Sequence, residues 1–359
     1  MLKKIDKYII KQLLATFFLA IALIVLIVIV FDISEKLDDF LEKKAPIQEI
    51  IFTYYLNFIP YFVNLFGHLF FFIAVIFLAS KMSSRSEIVA ILSSGISFKR
   101  FLRPFILSSI IVALLNVYLT NVLIPQVNKP RIEFEQTYWR NPYKNLTFNI
   151  HVKTDSVNHV YVQSFNNFNQ TGYRFTKETF CEKGICKKIT AQNIVYDSIK
   201  KNWTLIDYKV RTIDGLKESL VTGDKAVMNL GIKPEDFNIV TAKVETMTFT
   251  ELNDFIDSET KRGSKDINLY LIEKYQRLFN PLAFIILTII GVSLSSRRTR
   301  GGTGLNLAFG ITIAFSFIMM MKVTSVFSTK GNLHPIISVL IPIFVFAIIS
   351  VFLIKKAPK

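Results

Sequence analysis

The chain has 359 residues, 51% of them hydrophobic, with a mean hydropathy of +0.39 and a formal net charge of +16. This composition is too apolar for a soluble domain of that length, and it indicates an integral membrane protein. The excess positive charge would fit a nucleic-acid-binding protein, a class that the placement of the charges argues against.

Six apolar stretches are long enough to cross a bilayer as helices. A helix rises about 1.5 Å per residue, so roughly 20 residues span a hydrocarbon core about 30 Å thick. The first stretch is not expected to be a cleaved signal peptide, because it is too long and no cleavage site of small residues follows it. The predicted spans are residues 13–31, 52–79, 101–124, 278–295, 305–327 and 335–354.

Basic residues are concentrated in the short segments on one side of these spans. The segments before span one, after spans two and four, and at the end of the chain carry 15 basic residues against two acidic ones. The positive-inside rule therefore places these segments and both termini in the cytoplasm. The polar insert between spans three and four, residues 125–277, would then lie outside. The net charge reflects membrane topology, and no nucleic-acid partner is expected.

Span two carries a polar stripe and is followed by a short amphipathic helix. The stripe contains Asn57, Asn64 and His68, which fit either hydrogen bonds between helices or contact with a hydrated cavity or amphiphilic ligand. The short helix is predicted at about residues 84–95. Ser84 or Ser86 would cap it, Glu87 would lie in its first turn, and Gly95 would end it.

The apolar residues of this short helix leave two uses open. A cytoplasmic helix of this kind can lie on the membrane surface, or it can dock into another protein. The residues concerned are Ile88, Val89, Ile91 and Leu92.

From residue 146 the insert alternates apolar and polar residues in short runs separated by turns, which predicts an all-β sandwich or barrel. The shared aromatic face forms either an ordinary core or an interior that accepts acyl chains. After the strands, Thr248 and Glu251 have capping-box spacing for a helix to Arg262, and a further helix from about residue 267 enters span four. The aromatic residues predicted to share one face are Phe148, Tyr161, Phe165, Tyr173, Phe175, Trp203 and Tyr208.

The two cysteines of the chain, Cys181 and Cys186, lie in the insert on either side of Gly184. They are either two surface thiols or a local hairpin disulfide, which an oxidising exterior would favour. A metal site is not expected there, since no histidine or second cysteine pair stands nearby.

No motif for nucleotide hydrolysis or metal catalysis is present in the sequence. A P-loop is missing, as are H-E-x-x-H, G-x-S-x-G and C-x-x-C, and the four histidines are scattered. The chain is therefore not expected to be an enzyme or to bind a cofactor, and it cannot power transport by itself.

Two lysines near the predicted outer ends of spans are candidates for binding an anionic lipid headgroup. Lys322 is a charge within span five, and a lysine in a bilayer either extends to the interface or meets a counter-ion. Lys36 follows span one and is a weaker candidate, because several acidic residues surround it.

Four elements of the chain together resemble a known family. They are I-D-K-Y-I-I-K before span one, S-R-S-E-I-V-A-I-L-S-S-G-I-S after span two, the β-rich insert, and Y-Q-R-L-F-N-P-L-A at the entry to span four. With these elements the chain resembles the LptF/LptG (YjgP/YjgQ) permeases of the lipopolysaccharide exporter over nearly its full length. The N-terminal match and the modest insert length favour an LptG-like member over an LptF-like one.

The resemblance implies a fold and a domain organisation. The fold is an α-helical membrane protein with six transmembrane helices and an external all-β, β-jellyroll-like domain inserted between helices 3 and 4. Residues 1–124 would hold spans one to three and the coupling helix, residues 125–277 the periplasmic jellyroll with its flanking helices, and residues 278–359 spans four to six. The protein would lie in the bacterial inner membrane.

The resemblance also implies a function and partners. Two related permeases, one LptF-type and one LptG-type, would sit on an LptB-type ATPase dimer that uses ATP and Mg²⁺. Lipopolysaccharide would enter from the outer leaflet and pass through the jellyroll to LptC/LptA-type proteins. Phe148 and Tyr161 become candidates for contacting its acyl chains. The coupling helix that docks in the ATPase would carry Arg85, Ser86, Glu87, Ile88 and Gly95.

Two alternatives belong to other functional classes. A lipoprotein-release-type mechanical permease also joins few spans to a large external domain, but it usually has four spans with the domain after the first. A non-transport membrane protein that binds envelope components would have no ATPase partner.

Overall fold

The computed structural model is described over residues 3–138, 146–154, 157–166, 169–182, 184–198, 200–215, 217–237, 244–262, 264, 266–296 and 302–356. The chain divides into two compact units. The membrane unit comprises Met1–Arg131, Thr246–Leu252 and Asn268–Lys359, and the β unit comprises Ile132–Glu245 and Asn253–Ile267. The predicted limits of the insert, residues 125 and 277, lie outside those of the β unit.

Among the described residues, six helical stretches are long and apolar enough to cross a membrane, and the strands lie between the third and fourth. The predicted fold class is therefore confirmed. The six spans correspond to helices α1, α2, α4, α7, α8 and α9, whose bounds are given next, and the third span continues from α4 into α5. The helices are α1 (Lys4–Glu42), α2 (Ile47–Ser84, π-helical at Ile50–Tyr55), α3 (Glu87–Ser93), α4 (Phe98–Tyr118, continued by a π-helical turn at Leu119–Leu123), α5 (Ile124–Tyr138), α6 (Phe249–Arg262), α7 (Ile267–Ser295), α8 (Gly302–Lys330) and α9 (Pro335–Lys356).

Helix α1 is held to the membrane unit by one apolar seam. Every fourth residue of its first two-thirds is buried, while much of the remaining surface is apolar and exposed. Because i and i+4 residues form one ridge on a helix, this spacing gives a single straight contact line against α2 and α4. The seam consists of Ile9, Leu13, Phe17, Ile21 and Val25.

Helices α2, α7 and α8 approach closely at glycines, as is common where helices pack in a membrane. At Gly291 of α7, an added Cβ would lie 3.0 Å from side-chain atoms of Phe72 and Val75. At Gly310 of α8, an added Cβ would overlap the side chain of Ile76. The close packing of these spans therefore requires glycine at positions 291 and 310, where any side chain would meet the neighbouring helix.

The β unit contains one antiparallel sheet in which each strand pairs with the next in the chain. This pairing is a meander, whereas the strands of a jellyroll cross between two sheets by Greek-key connections. The sequence spacing thus predicted the β class but not this topology. The strands are β1 (Leu146–Lys153), β2 (Asn158–Asn166), β3 (Thr171–Cys181), β4 (Gly184–Asp197), β5 (Asn202–Asp214) and β6 (Lys217–Met228).

A line of irregular pairing, called the crease here, crosses all six strands. Every ladder lacks one pair at the same level while its register continues unchanged across it, and two crease residues, Arg174 and Asp207, have φ of +52°. An irregularity of this kind shifts the alternation of faces by one residue. The crease runs through Asn149, Gln163, Arg174, Gln192, Asp207 and Asp224.

The shift at the crease lets apolar residues on both sides of it face one core. In β2 the buried residues are Val160 and Val162 before the crease and Phe165 after it, an odd step. The indole N–H of Trp203, in the same core, donates to the backbone oxygen of Ile232 at 2.8 Å. The remaining buried members of this core are Phe175, Ile189, Ala191, Ile194, Leu205, Leu230 and Phe237.

Candidate functional site

The short helix α3 begins and ends without a side-chain cap. Ser86 occupies its N-cap position with φ of +59° and makes no side-chain capping bond, and the Ser84 hydroxyl donates instead to the backbone oxygen of Lys81 at 2.9 Å. Ser86 thus holds the predicted N-cap position, but the capping hydrogen bond is not made, because its backbone is left-handed and not in the extended conformation that a capping serine usually adopts. Gly95 follows the helix with φ of +85°, a conformation that favours glycine.

The apolar side of α3 is covered by the chain itself. Ile88 is 1% exposed, and Ile91 and Leu92 pack against the same core as the ends of α2 and α4. Val89 is 58% exposed, so the apolar face predicted from the sequence is only partly available. A helix whose apolar side is already buried has little left to insert into a bilayer.

The outer side of α3 is short, polar and accessible. Arg85, Ser86, Val89 and Gly95 are exposed, and Glu87 is half-buried. Of the residues assigned to the coupling helix, Ile88 therefore anchors it, while the other four lie on or beside its accessible side. This arrangement presents a small fixed surface with one carboxylate and one guanidinium.

Lys36 lies in a buried polar cluster and not at an open surface. Its ammonium pairs with Asp32 at 2.6 Å, donates to the hydroxyl of Tyr54, and lies 4.8 Å from the centre of the Tyr54 ring. The hydroxyl of Tyr55 donates to the same carboxylate at 3.0 Å. The side chain of Lys36 is 6% exposed, so its charge is neutralised within the chain, which counts against a role in binding a headgroup.

Lys322 has the opposite environment. It is exposed on α8, and the described part of the chain provides no ion pair for it. Its neighbours on that side are apolar and exposed as well, among them Met319 and Val326 at 68% and 53%. An ammonium on such a face requires an interface, a partner or an anionic ligand.

The polar stripe of α2 serves mainly to join helices. Asn64 accepts hydrogen bonds from Asn116 at 2.7 Å and Thr120 at 2.8 Å, so the interhelical alternative is confirmed there. The amide of Asn57 donates within its own helix. The ring of His68 lies edge-on to two phenylalanine rings, Phe284 and Phe317.

Of the two aromatic candidates of the β unit, the structure describes the side chain of Tyr161, which does not face the core. Tyr161 stands between Val160 and Val162, which are buried, so it points to the opposite face of the sheet, where its ring lies 4.8 Å from that of His151. Its predicted position on the core face is therefore wrong, because the crease at Gln163 shifts the alternation between Tyr161 and the buried Phe165 by one residue. Phe148 pairs with Ser164 in the β1–β2 ladder, and its side chain lies outside the described part of the structure.

Cys181 and Cys186 are joined by a disulfide across the β3–β4 turn. Of the two alternatives left open by the sequence, the structure has the hairpin bridge. A disulfide at an exposed turn is typical of an oxidising compartment.

The sequence profile described as lipopolysaccharide export system permease LptF/LptG matches residues 7–356. The chain belongs to this family. Curated relatives include the lipopolysaccharide export system permease proteins LptG of Escherichia coli K12 and of E. coli O6:H1. Each is 19% identical over 284 residues, which is 77% of this chain and 77% of the relative. Both are LptG proteins, which agrees with the LptG-like prediction.

Membership in this family gives the chain a location and a general role. An LptF/LptG family permease with six membrane-spanning helices is a multi-pass protein of the inner membrane that takes part in lipopolysaccharide export. The four-span layout of a lipoprotein-release permease does not fit the six spans and the position of the β unit.

Sequence reasoning missed the partners of Lys36. Asp32 lies four residues earlier, and that spacing places two side chains on the same side of a helix. The π-helical stretch at Ile50–Tyr55 then provides two consecutive tyrosines to the same carboxylate, which no periodic pattern signals.

Proposed function

We propose that this chain is the transmembrane permease subunit of an ATP-driven lipopolysaccharide exporter. The observation that carries the proposal is α3, a helix fixed to its own spans by Ile88 that keeps Arg85 and Val89 accessible. The chain itself would bind no cofactor. ATP and Mg²⁺ would be used by an LptB-type ATPase dimer whose groove receives α3, and a paralogous LptF-type permease would complete the complex.

The fixed attachment of α3 supports docking into a protein over lying on the membrane. A docked ATPase subunit can move the spans only if the contacted element transmits force to them. Ile88, Ile91 and Leu92 belong to the core formed with α1, α2 and α4, so displacement of α3 would disturb that core.

In the proposed orientation both termini and α3 are cytoplasmic and the β unit is periplasmic. The disulfide between Cys181 and Cys186 supports this placement, because the periplasm is oxidising and the cytosol is not. The exposed lysines of the first two turns of α1, Lys4, Lys7 and Lys11, support a cytoplasmic N-terminus by the positive-inside rule.

Lys322 is the proposed contact for an anionic group of the lipid as it enters from the outer leaflet. It is exposed beside apolar residues of α8, which match a ligand that carries phosphates next to acyl chains. Lys36 is not included, because its charge already meets Asp32.

The proposed path continues along the core side of the β sheet, and a neighbouring LptC/LptA-type β domain would join by strand addition. Tyr208 lies at the margin of the apolar core and is half-buried, so it replaces Tyr161 as the aromatic contact. Strand β6 is an edge of the sheet and carries exposed apolar residues, with Leu220 at 64% and Val227 at 66%.

The docking step is tested with a charge reversal and a matched control. Glu87→Lys places a cation on the accessible side of α3, and Glu49→Lys makes the same change at an exposed position at the other end of α2. Co-purification with the ATPase and permease partners, followed by lipopolysaccharide-stimulated ATP hydrolysis, should fail or drop about tenfold or more for the first variant only. Intact assembly and stimulation in Glu87→Lys would overturn the docking role.

A further inference from the structure

An ion pair joins the beginning of α1 to the beginning of α4. The guanidinium of Arg100 donates from Nη1 to Oδ1 of Asp6 at 2.8 Å and from Nη2 to Oδ2 at 2.5 Å. The backbone N–H of Lys3 donates to the same Oδ2 at 2.8 Å. The carboxylate of Asp6 is thus fully engaged, and its side chain is 5% exposed against 26% for Arg100. The fork geometry of such a pair fixes direction as well as distance.

The pair lies beside the proposed docking helix. Helix α4 begins at Phe98, shortly after Gly95, and Arg100 lies in its first turn. Beneath the pair, one apolar core contains residues of α1, α3 and α4 together. Its members in this region are Ile9, Leu13, Ile88, Phe98, Phe101 and Leu102.

The pair supplies what the apolar seam of α1 lacks. The buried residues from Ile9 to Val25 hold α1 laterally, but hydrophobic contacts are non-directional and tolerate sliding along the ridge. A bidentate ion pair at one end of the seam fixes the position of the helix along its axis. Among the described residues, it is the one ion pair that joins α1 to the segment following α3.

We propose that Asp6 and Arg100 are positioning residues that couple the docking helix to span one. When α3 moves with its ATPase partner, the start of α4 moves with it, and the ion pair passes that displacement to α1. This inference rests on the proposed function, since it assigns the route by which docking reaches the spans. Neither residue lies on the accessible side of α3.

The test uses the complete complex with its ATPase and permease partners in proteoliposomes. Asp6→Asn keeps the shape of the side chain and removes the charge, and Arg100→Lys keeps the charge and removes the fork. Arg103→Gln is the matched control, because Arg103 is exposed one turn later on α4 and makes no ion pair in the described residues. Complex assembly, basal ATP hydrolysis and lipopolysaccharide-stimulated hydrolysis are measured for each.

We expect Asp6→Asn to retain assembly and basal hydrolysis while the stimulated increment falls about fivefold or more. Arg100→Lys should fall between the wild type and Asp6→Asn, and Arg103→Gln should match the wild type. The double exchange Asp6→Arg with Arg100→Asp should recover at least half of the lost increment, which a merely structural role would not predict at unchanged assembly.

Two results overturn the inference in distinguishable ways. If the wild-type complex is stimulated and Asp6→Asn is stimulated equally, or if assembly fails in Asp6→Asn and in Arg100→Lys alike without recovery in the exchange, the positioning role is wrong and the proposed function stands. If the wild-type complex with all partners shows no stimulation by lipopolysaccharide, the proposed function fails and this inference fails with it.

Discussion

The carboxylate of Glu251 closes the first turn of α6 by accepting the backbone N–H of Thr248 at 2.8 Å, while the Glu251 N–H donates to the Thr248 hydroxyl at 3.4 Å. This capping box was predicted from the spacing of the two residues alone. The hydrogen bond from the Thr248 backbone, and then that from its side chain, lower the pKa of Glu251 below its ordinary value of 4.5. A local pattern of this kind needs no knowledge of the rest of the chain.

The lowered pKa makes the cap dependent on pH in a defined direction. Because the folded chain favours the charged form of Glu251, the stabilisation is present above the ordinary pKa and is lost as the pH falls through the folded value. Thermal unfolding of the wild type and of Glu251→Gln in detergent should differ near neutral pH and converge as the pH falls below the ordinary carboxyl pKa and through the folded value. A difference that grows on acidification would contradict the assignment.

A second prediction concerns the close packing of Gly310 against Ile76. Replacement by leucine places a side chain where Ile76 already lies, and overpacking of this kind costs about 1–3 kcal/mol. Gly304→Leu, in the same helix with nothing within 4 Å of an added Cβ, is the control. The Tm in detergent should fall for the first variant and stay within error of the wild type for the second. Equal changes in Tm for the two variants would mean that helix propensity, and not packing against Ile76, determines the effect of replacing Gly310.

Whole elements differ in how far the sequence determined them. The six spans follow from long apolar runs, since helix formation in lipid is forced by the need to satisfy every backbone group. The crease did not follow, because Gln163, Arg174 and Asp207 read as ordinary polar positions of alternating strands. The shift in alternation there moved Tyr161 off the core face, and only the pairing of neighbouring strands in the folded sheet reveals it.

The exposed edge of strand β6 is the proposed binding site for a neighbouring β domain, which can be tested by mutation. Lysine at an exposed edge disfavours the addition of another strand. Val221→Lys should therefore reduce binding of the neighbouring β-domain protein by about fivefold or more without lowering the Tm, because Val221 is 56% exposed. Val157→Lys, exposed away from β6, is the control, and binding is measured by co-purification. Undiminished binding in Val221→Lys would exclude this edge.

In the whole molecule, contacts between residues far apart in the chain determine features that could not be predicted from the sequence. Asp6 and Arg100 are 94 residues apart, so no local pattern in the sequence pairs them. Lys36 and Lys322 looked alike as charges near span ends, yet one is buried against Asp32 and the other is exposed. Placement of the family motif at α3 was possible from sequence, but its anchoring through Ile88 required the fold.

The central claim is that ATP hydrolysis by a partner docked at α3 drives lipopolysaccharide into the β unit. It is tested by a photo-crosslinking amino acid at Tyr208, on the core side of the sheet, with Tyr161 on the opposite face as the control, in proteoliposomes containing all partners. The account predicts ATP-dependent capture of lipopolysaccharide at Tyr208, little at Tyr161, and none at Tyr208 when Glu87→Lys is added. Capture that is independent of ATP, equal at both positions, or of a lipoprotein instead would contradict it.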